Sequence, residues 1–272
     1  MLQMQRSEVI MSGASSQSLT LEIQGQIAVV TINRPEKRNA LTLALWRELG
    51  ALFCEIGERD DVLVVVLTGA GNSFCAGADI SEFSQVRSNP EQVTEYELAV
   101  DGCCDAIEAC PKPTIAALNG FCIGGGVNVA MACDFRFASA EATVGIPAAK
   151  LSILYGIKGT RRLYELVGLT NAKKILFDGK ILSAQQALGI NLIDELASNA
   201  LDAALQYADT LEPNAPLSIA GAKAMLNGLA AGGVPLNDEQ ITALIDEAAA
   251  SADYAEGRRA FVEKRKPRFI GA

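Results

Sequence analysis

Apolar residues along this chain alternate between two periods, and the switches between them mark out elements. Residues 19–23 and 27–32 are β-rich runs on either side of Gly25, which predicts a hairpin. Pro35 breaks that pattern. Leu41, Leu45, Leu49, Leu52, Phe53 and Ile56 then recur at helical spacing, predicting a helix over 41–58. Residues 62–67 are all apolar, the pattern of a strand buried on both faces. A glycine-rich stretch, 69–78, leads to Asp79, spaced from Glu82 as an N-cap and N3 pair. The same sequence of features then repeats. A helix is expected over 91–110, a second buried strand over 113–118, a second glycine-rich turn over 119–126, and an apolar helix over 127–133. A strand at 135–137 follows. Strand, glycine turn and helix thus occur twice, which predicts an α/β fold with largely parallel strands.

Beyond about residue 160 the periodicity is helical. Ser183 and Gln186 have capping-box spacing, and helices are expected over 201–211, 217–229, 238–250 and 253–264. The expected organisation is an N-terminal tail (1–18), an α/β core (19–195) and a C-terminal helical region (196–272). The tail is polar and Ser/Gln-rich, with no apolar segment of a signal peptide. No apolar run is long enough to span a bilayer, so no membrane partner is expected.

Composition narrows the chemistry. The net charge of −9 over 272 residues disfavours nucleic acid as a partner. There is no histidine, which removes Ser-His-Asp and Cys-His catalysis and imidazole metal ligation. No metal is expected. The seven cysteines are odd in number and lack a CxxC pair, so they read as reduced thiols of a cytoplasmic protein.

Each glycine turn ends a buried strand and opens a helix, where backbone N–H groups are unpaired and carry partial positive charge. Two such turns facing one pocket would offer two donors to one oxygen, an oxyanion hole. Either turn alone is more often just a tight connection. Neither has the GxGxxG or GxxxxGK[ST] spacing of a nucleotide site.

The order of the motifs resembles the crotonase (enoyl-CoA hydratase/isomerase) family from about residue 20 to the end. The resemblance rests on Asn33-Arg-Pro-Glu-Lys-Arg-Asn-Ala-Leu41, on Leu67-Thr-Gly-Ala-Gly-Asn-Ser-Phe-Cys-Ala-Gly-Ala-Asp-Ile80, and on Lys112-Pro-Thr-Ile-Ala-Ala-Leu-Asn-Gly120. Gly124-Gly-Gly126 with Ala130-Met-Ala-Cys-Asp134 and the terminal Phe261-Val-Glu-Lys-Arg-Lys-Pro-Arg-Phe269 continue it. It implies a crotonase-like ββα spiral core with a C-terminal helical trimerisation region, assembled as a homotrimer or a hexamer built as a dimer of trimers. It also implies an oxyanion hole made by the amides of Ala78 and Gly125. Coenzyme A, part of the acyl-CoA substrate and not a permanent cofactor, would lie along Arg38, Ala40, Leu41, Ala76, Ala78, Asp79 and Ile80. Phe121 and Gly124 would stand near the acyl end, and Pro147, Ala148 and Leu151 would complete the pocket. Lys264 would meet a CoA phosphate; a solvated basic end is the alternative.

Hydratases of this family use two glutamates. The positions that match them are Asn128 and Ala148 here, so both carboxylates are missing. Asn128 hydrogen-bonds but does not titrate, and Ala148 does neither. Loss of a general acid/base costs about 10²–10⁴ in rate. The expectation is a specialised decarboxylase, isomerase or lyase acting on an acyl-CoA through a thioester enolate. The rival is a non-catalytic acyl-CoA-binding paralogue, whose pocket would be apolar with Tyr155 turned away. Tyr155 is the preferred substitute group, because Leu151-Ser-Ile-Leu-Tyr155 resembles the Leu-Gly-Val-Pro-Tyr segment of the family's methylmalonyl-CoA decarboxylases; the alternative is a packing tyrosine. Lys150, Lys158, Cys75 and Glu82 rank lower, and Trp46 and Asp134 are expected to be structural.

Overall fold

The predicted hairpin forms. β1 (Leu19–Gln24) and β2 (Ile27–Ile32) pair antiparallel in a computed structural model of the chain, which describes residues 17–230 and 236–272. The tail expected over 1–18 lies, apart from its last two residues, outside the described residues. The apolar run read as a buried strand becomes β3 (Val64–Gly69), parallel to β2. Its side chains alternate between two cores. Val65 and Leu67 pack towards one face of the sheet, and Val64 and Val66 towards the other. A strand covered on both sides has no polar face to show, which is why the run is unbroken.

Three times the chain leaves the large sheet, turns, and adds a very short strand to a second sheet. β3 is followed by β4 (Ser73–Cys75), β5 (Thr114–Leu118) by β6 (Phe121–Ile123), and β7 (Phe135–Ser139) by β8 (Thr143–Gly145). With β9 (Ile181–Ser183) and β10 (Glu195–Ala197), the orders are β1-β2-β3-β5-β7-β10 and β4-β6-β8-β9. Helices complete each step: α1 (Leu43–Gly57), the short α2 (Phe83–Val86), α3 (Pro90–Ala109), α4 (Gly125–Ala132) and α5 (Ile157–Asp178). This is the expected ββα spiral.

The sequence missed the second sheet, β9 and β10, because a three-residue strand is too short to display a period. It also placed the start of the first helix two residues early. Thr42 is the N-cap, its side chain accepting from the Leu45 N–H, while Leu41 pairs with Ala78 in an isolated parallel bridge. The capping box at Ser183 is present, opening α6 (Ala184–Leu188).

α7 (Ala200–Leu211) lays Ala200, Ala204 and Ala208, spaced every four residues, on Ile27, Val29, Val64 and Val66 of the large sheet. Small residues let the helix sit close and close off the second core. α8 (Pro216–Ala230), α9 (Asp238–Ala250) and α10 (Ala252–Glu263) follow. No helix among the described residues is long and apolar enough to cross a membrane.

Candidate active site

The two glycine turns meet. In the first, Leu41 donates its N–H to Gly77 O at 2.8 Å and accepts from Asp79 N–H at 2.9 Å. A parallel bridge of this register uses both polar groups of Leu41 and neither of Ala78, whose N–H points to the opposite side. In the second, Gly125 is the first residue of α4, where a helix leaves its N–H groups unpaired. Among the described residues neither amide has a protein acceptor. Gly77 (φ 92°) allows the approach: a Cβ there would lie 2.9 Å from the Gly125 nitrogen and 2.7 Å from Ile123 O. On Gly125 a Cβ would fall 2.9 Å from the Trp46 ring and 3.5 Å from the Ala78 nitrogen. Both turns therefore require glycine beside the donors.

Ala78 and Gly125 open onto a cavity of about 240 Å³ between the two turns, α3 and the segment before α5. Of the residues expected at the site, Ala76, Ile80, Gly124, Asn128, Pro147, Ala148, Leu151 and Tyr155 also line it. Tyr155 stands in the wall with its hydroxyl 3.4 Å from Gly124 O, and burial pushes its phenol well above the ordinary value. Asn128 is buried, and its Oδ1 has no hydrogen-bond donor among the described residues. Both side chains close on Gly159, where a Cβ would lie 2.6 Å from the Tyr155 ring and 3.0 Å from Asn128 Oδ1.

Other expected residues lie outside the cavity. Ala40 and Leu41 are buried in the scaffold. The Asp79 carboxylate is committed to the Ser81 hydroxyl and amide and to Arg34 at 3.1 Å, and these contacts hold it below the usual carboxylate range. Arg34 also donates to Ala40 O, so the pair clamps the first turn. The expected Asp79–Glu82 capping box is corrected: Asp79 caps the turn, but Glu82 accepts the Leu43 N–H at the start of α1. Phe121 is not part of the cavity lining; it is exposed, with the Arg38 guanidinium 4.5 Å over its ring. The backbone alternation of β6 turns it away and buries its neighbour Cys122 instead. Lys264 is the C-cap of α10 and touches none of the cavity.

The lower-ranked candidates are also placed. Lys158 is paired with Asp105, and Lys150 packs over Gly179. Burial pushes the Cys75 thiol up to about 12, which leaves it inert at neutral pH. Asp134 ties β5 to α8, accepting from the Thr114 amide and hydroxyl and from Lys223. Trp46 is fully buried as expected, yet its indole also floors the cavity and donates to Tyr96 Oη at 3.1 Å.

Sequence reasoning missed the acidic lining. Glu97 and Asp101, one turn apart on α3, face the cavity together with Arg87. Arg87 pairs with Glu97 at 2.9 Å and stacks on Phe83 and Tyr96, at 5.0 and 4.9 Å from their ring centres. The signal was available: Tyr96 and Val100 mark the inward stripe of α3, and each is followed at once by a carboxylate.

The enoyl-CoA hydratase/isomerase family model matches residues 22–272. A short-chain-enoyl-CoA hydratase of Clostridium acetobutylicum is 37% identical over 256 residues, 92% of this chain and 96% of that protein. An (E)-benzylidenesuccinyl-CoA hydratase of Thauera aromatica is 34% identical, over 93% and 99% of the two chains. The crystal structure of an enoyl-CoA hydratase/isomerase family protein from Hyphomonas neptunium, 36% identical, superposes with a TM-score of 0.88 over 93% of this chain and 97% of that one.

Proposed function

Because this chain belongs to the enoyl-CoA hydratase/isomerase family, whose members are enzymes of acyl-CoA thioesters, we propose that it works through a thioester enolate as a specialised isomerase, lyase or decarboxylase, not as a fast general enoyl-CoA hydratase. The thioester oxygen accepts from the Ala78 and Gly125 amides, which meet the negative charge as it develops. Coenzyme A enters with the substrate. The observation that carries this reading is what lies beside those amides: Asn128 and Ala148 line the cavity where a hydratase would present its two glutamates.

The charge of the lining ranks the options. Glu97 and Asp101 outnumber the single cation Arg87, and Arg87 is already paired. A free carboxylate on the acyl group would be repelled, which favours proton-shift chemistry on a neutral acyl chain over decarboxylation. Titratable groups in the cavity, with Tyr155 turned towards it, support an enzyme over the non-catalytic binder.

The assembly belongs to the same reading, as a trimer or a hexamer built as a dimer of trimers, formed through the C-terminal helices. A cytoplasmic location fits the six buried, unpaired thiols.

The test is the hydration rate of crotonyl-CoA, with a two-glutamate family member as control. A deficit of about 10² or more is expected from the missing carboxylates. A rate equal to the control would sink the reading of Asn128 and Ala148.

A further inference from the structure

We propose that Asp101, with Glu97 held beside it, is the group that exchanges protons with the acyl carbons of the bound thioester in place of the two missing glutamates. The inference rests on the enolate reading above and supplies the acid/base that reading lacks.

Four observations lead to it. First, the two carboxylates enter the cavity from α3, a different element from those that bear Asn128 and Ala148. Second, they converge on one point: a Cβ at Gly156 would lie 3.7 Å from Glu97 Oε2 and 3.9 Å from Asp101 Oδ1. Gly156 has no side chain to shield them, and it follows Tyr155, whose hydroxyl reaches the carbonyl of Gly124. A continuous wall therefore runs from the oxyanion amides to the carboxylates.

Third, the two acids are held differently. Glu97 is paired with Arg87, itself stacked on two rings. Asp101 has no hydrogen-bond or ion-pair partner within contact distance among the described residues. Its oxygens are not among the buried atoms left without a partner, so they stay open to whatever enters the cavity. Fourth, burial raises the Asp101 pKa, with Asp105 adding to the rise and Lys158 and Arg162 opposing it. A raised carboxylate exchanges protons more readily near neutral pH.

The step balances within the protein and its substrate. The Asp101 carboxylate takes a proton from the carbon next to the thioester. The C–H electron pair becomes the enolate, whose oxygen lies at the Ala78 and Gly125 amides, and the proton is now on Asp101. Returned to the same carbon, it regenerates the substrate. Returned two carbons further along a β,γ-unsaturated chain, it gives the α,β-unsaturated isomer. No oxidant, reductant or metal takes part in this transfer.

The experiment follows exchange of the α-hydrogens of butyryl-CoA in D₂O by mass spectrometry. Wild-type protein should exchange them. Asp101→Asn should lose about 10²-fold or more in exchange rate while its affinity for butyryl-CoA stays within a few fold. Asp101→Glu should recover part of the rate. Gly156→Ala is the second variant: its methyl makes only ordinary contacts, so the fold tolerates it, yet it stands before both carboxylates and should slow exchange about tenfold. Exchange by Asp101→Asn within a few fold of wild type, or an undiminished rate in Gly156→Ala, would overturn the assignment and leave the enolate reading standing. Wild-type protein that binds butyryl-CoA and never exchanges it would remove the enolate reading, and this inference with it.

Discussion

At the scale of single residues, the site depends on what one position leaves out. Gly125 carries no side chain, so the Trp46 ring can back its amide and Ala78 can approach from the other turn. Gly125→Ala would place a methyl 2.9 Å from that ring, and one of the two must move. Displacing one oxyanion donor should lower turnover or α-exchange by about 10²–10³ while CoA binding persists, measured by exchange and calorimetry on the same preparation. Unchanged exchange would show that the hole is not where the negative charge develops. Asp101 makes the complementary case, a residue whose presence costs stability. Its raised pKa means that its contribution is at its best below the ordinary 3.8 and is lost as pH rises through the shifted value. Asp101→Asn removes that loss. The variant should therefore melt higher than wild type at pH 7, with the gain vanishing below about pH 4. A lower melting temperature at neutral pH would mean that Lys158 and Arg162 outweigh burial and that Asp101 is a structural anion. The absent glutamates at 128 and 148 were legible in the sequence, because a motif fixes their positions. Their replacements went unread: the stripe of Tyr96 and Val100 shows the inward face of α3, but nothing local says that this face meets the two glycine turns at one cavity.

At the scale of elements, the function depends on how α3 is held against α5. Arg162 is buried at the start of α5 and donates to Asp105 at 2.8 Å and to Glu108 at 2.8 Å, both on α3, while Arg161 adds a second contact to Glu108. Lys158 joins the same cluster. These contacts begin one helical turn beyond Asp101, so they set the angle at which α3 presents Glu97 and Asp101 to the cavity. Arg162→Leu would leave two carboxylates facing each other without their shared cation. We expect a loss of about 2 kcal/mol in unfolding free energy, less than for a fully buried pair because Asp105 is open to solvent. Denaturant unfolding measures it, and a loss below about 0.5 kcal/mol would show that the helix is positioned by its apolar stripe alone. The apolar face of α3 was readable from Tyr96, Cys103 and Ile107 at helical spacing, as were the two strand–glycine–helix units. The second sheet was not. β4, β6 and β8 exist because each long strand delivers its successor to the same neighbouring edge, a property of the spiral and not of any three-residue sequence.

At the scale of the molecule, one end is unfinished. Phe261 and Val262 on α10 are 86% and 80% exposed, and they border a hollow of about 890 Å³ formed with α9 and the start of α8. Burying side chains of this size contributes about 1.5–3 kcal/mol each, which offsets part of the cost of association; a second copy of the chain would supply the rest by covering the hollow as well. Lys264 caps the same helix, with its basic neighbours Arg265, Lys266 and Arg268, and Glu256 gathers Arg259 and Arg265 behind them. If this end docks on a neighbouring subunit, Lys264 is carried there too, and the CoA phosphate expected beside it would be the neighbour's. Two measurements separate the ideas. Phe261→Glu with Val262→Glu should shift sedimentation from a trimer or hexamer towards the 28.7 kDa chain. In the assembled protein Lys264→Ala should weaken CoA affinity several-fold, more at low salt than at high; in the dissociated double variant the same change should do nothing further. A wild-type chain that sediments as a monomer would refute the assembly. An equal Lys264→Ala effect in both backgrounds would place that lysine on its own subunit's CoA, or on none.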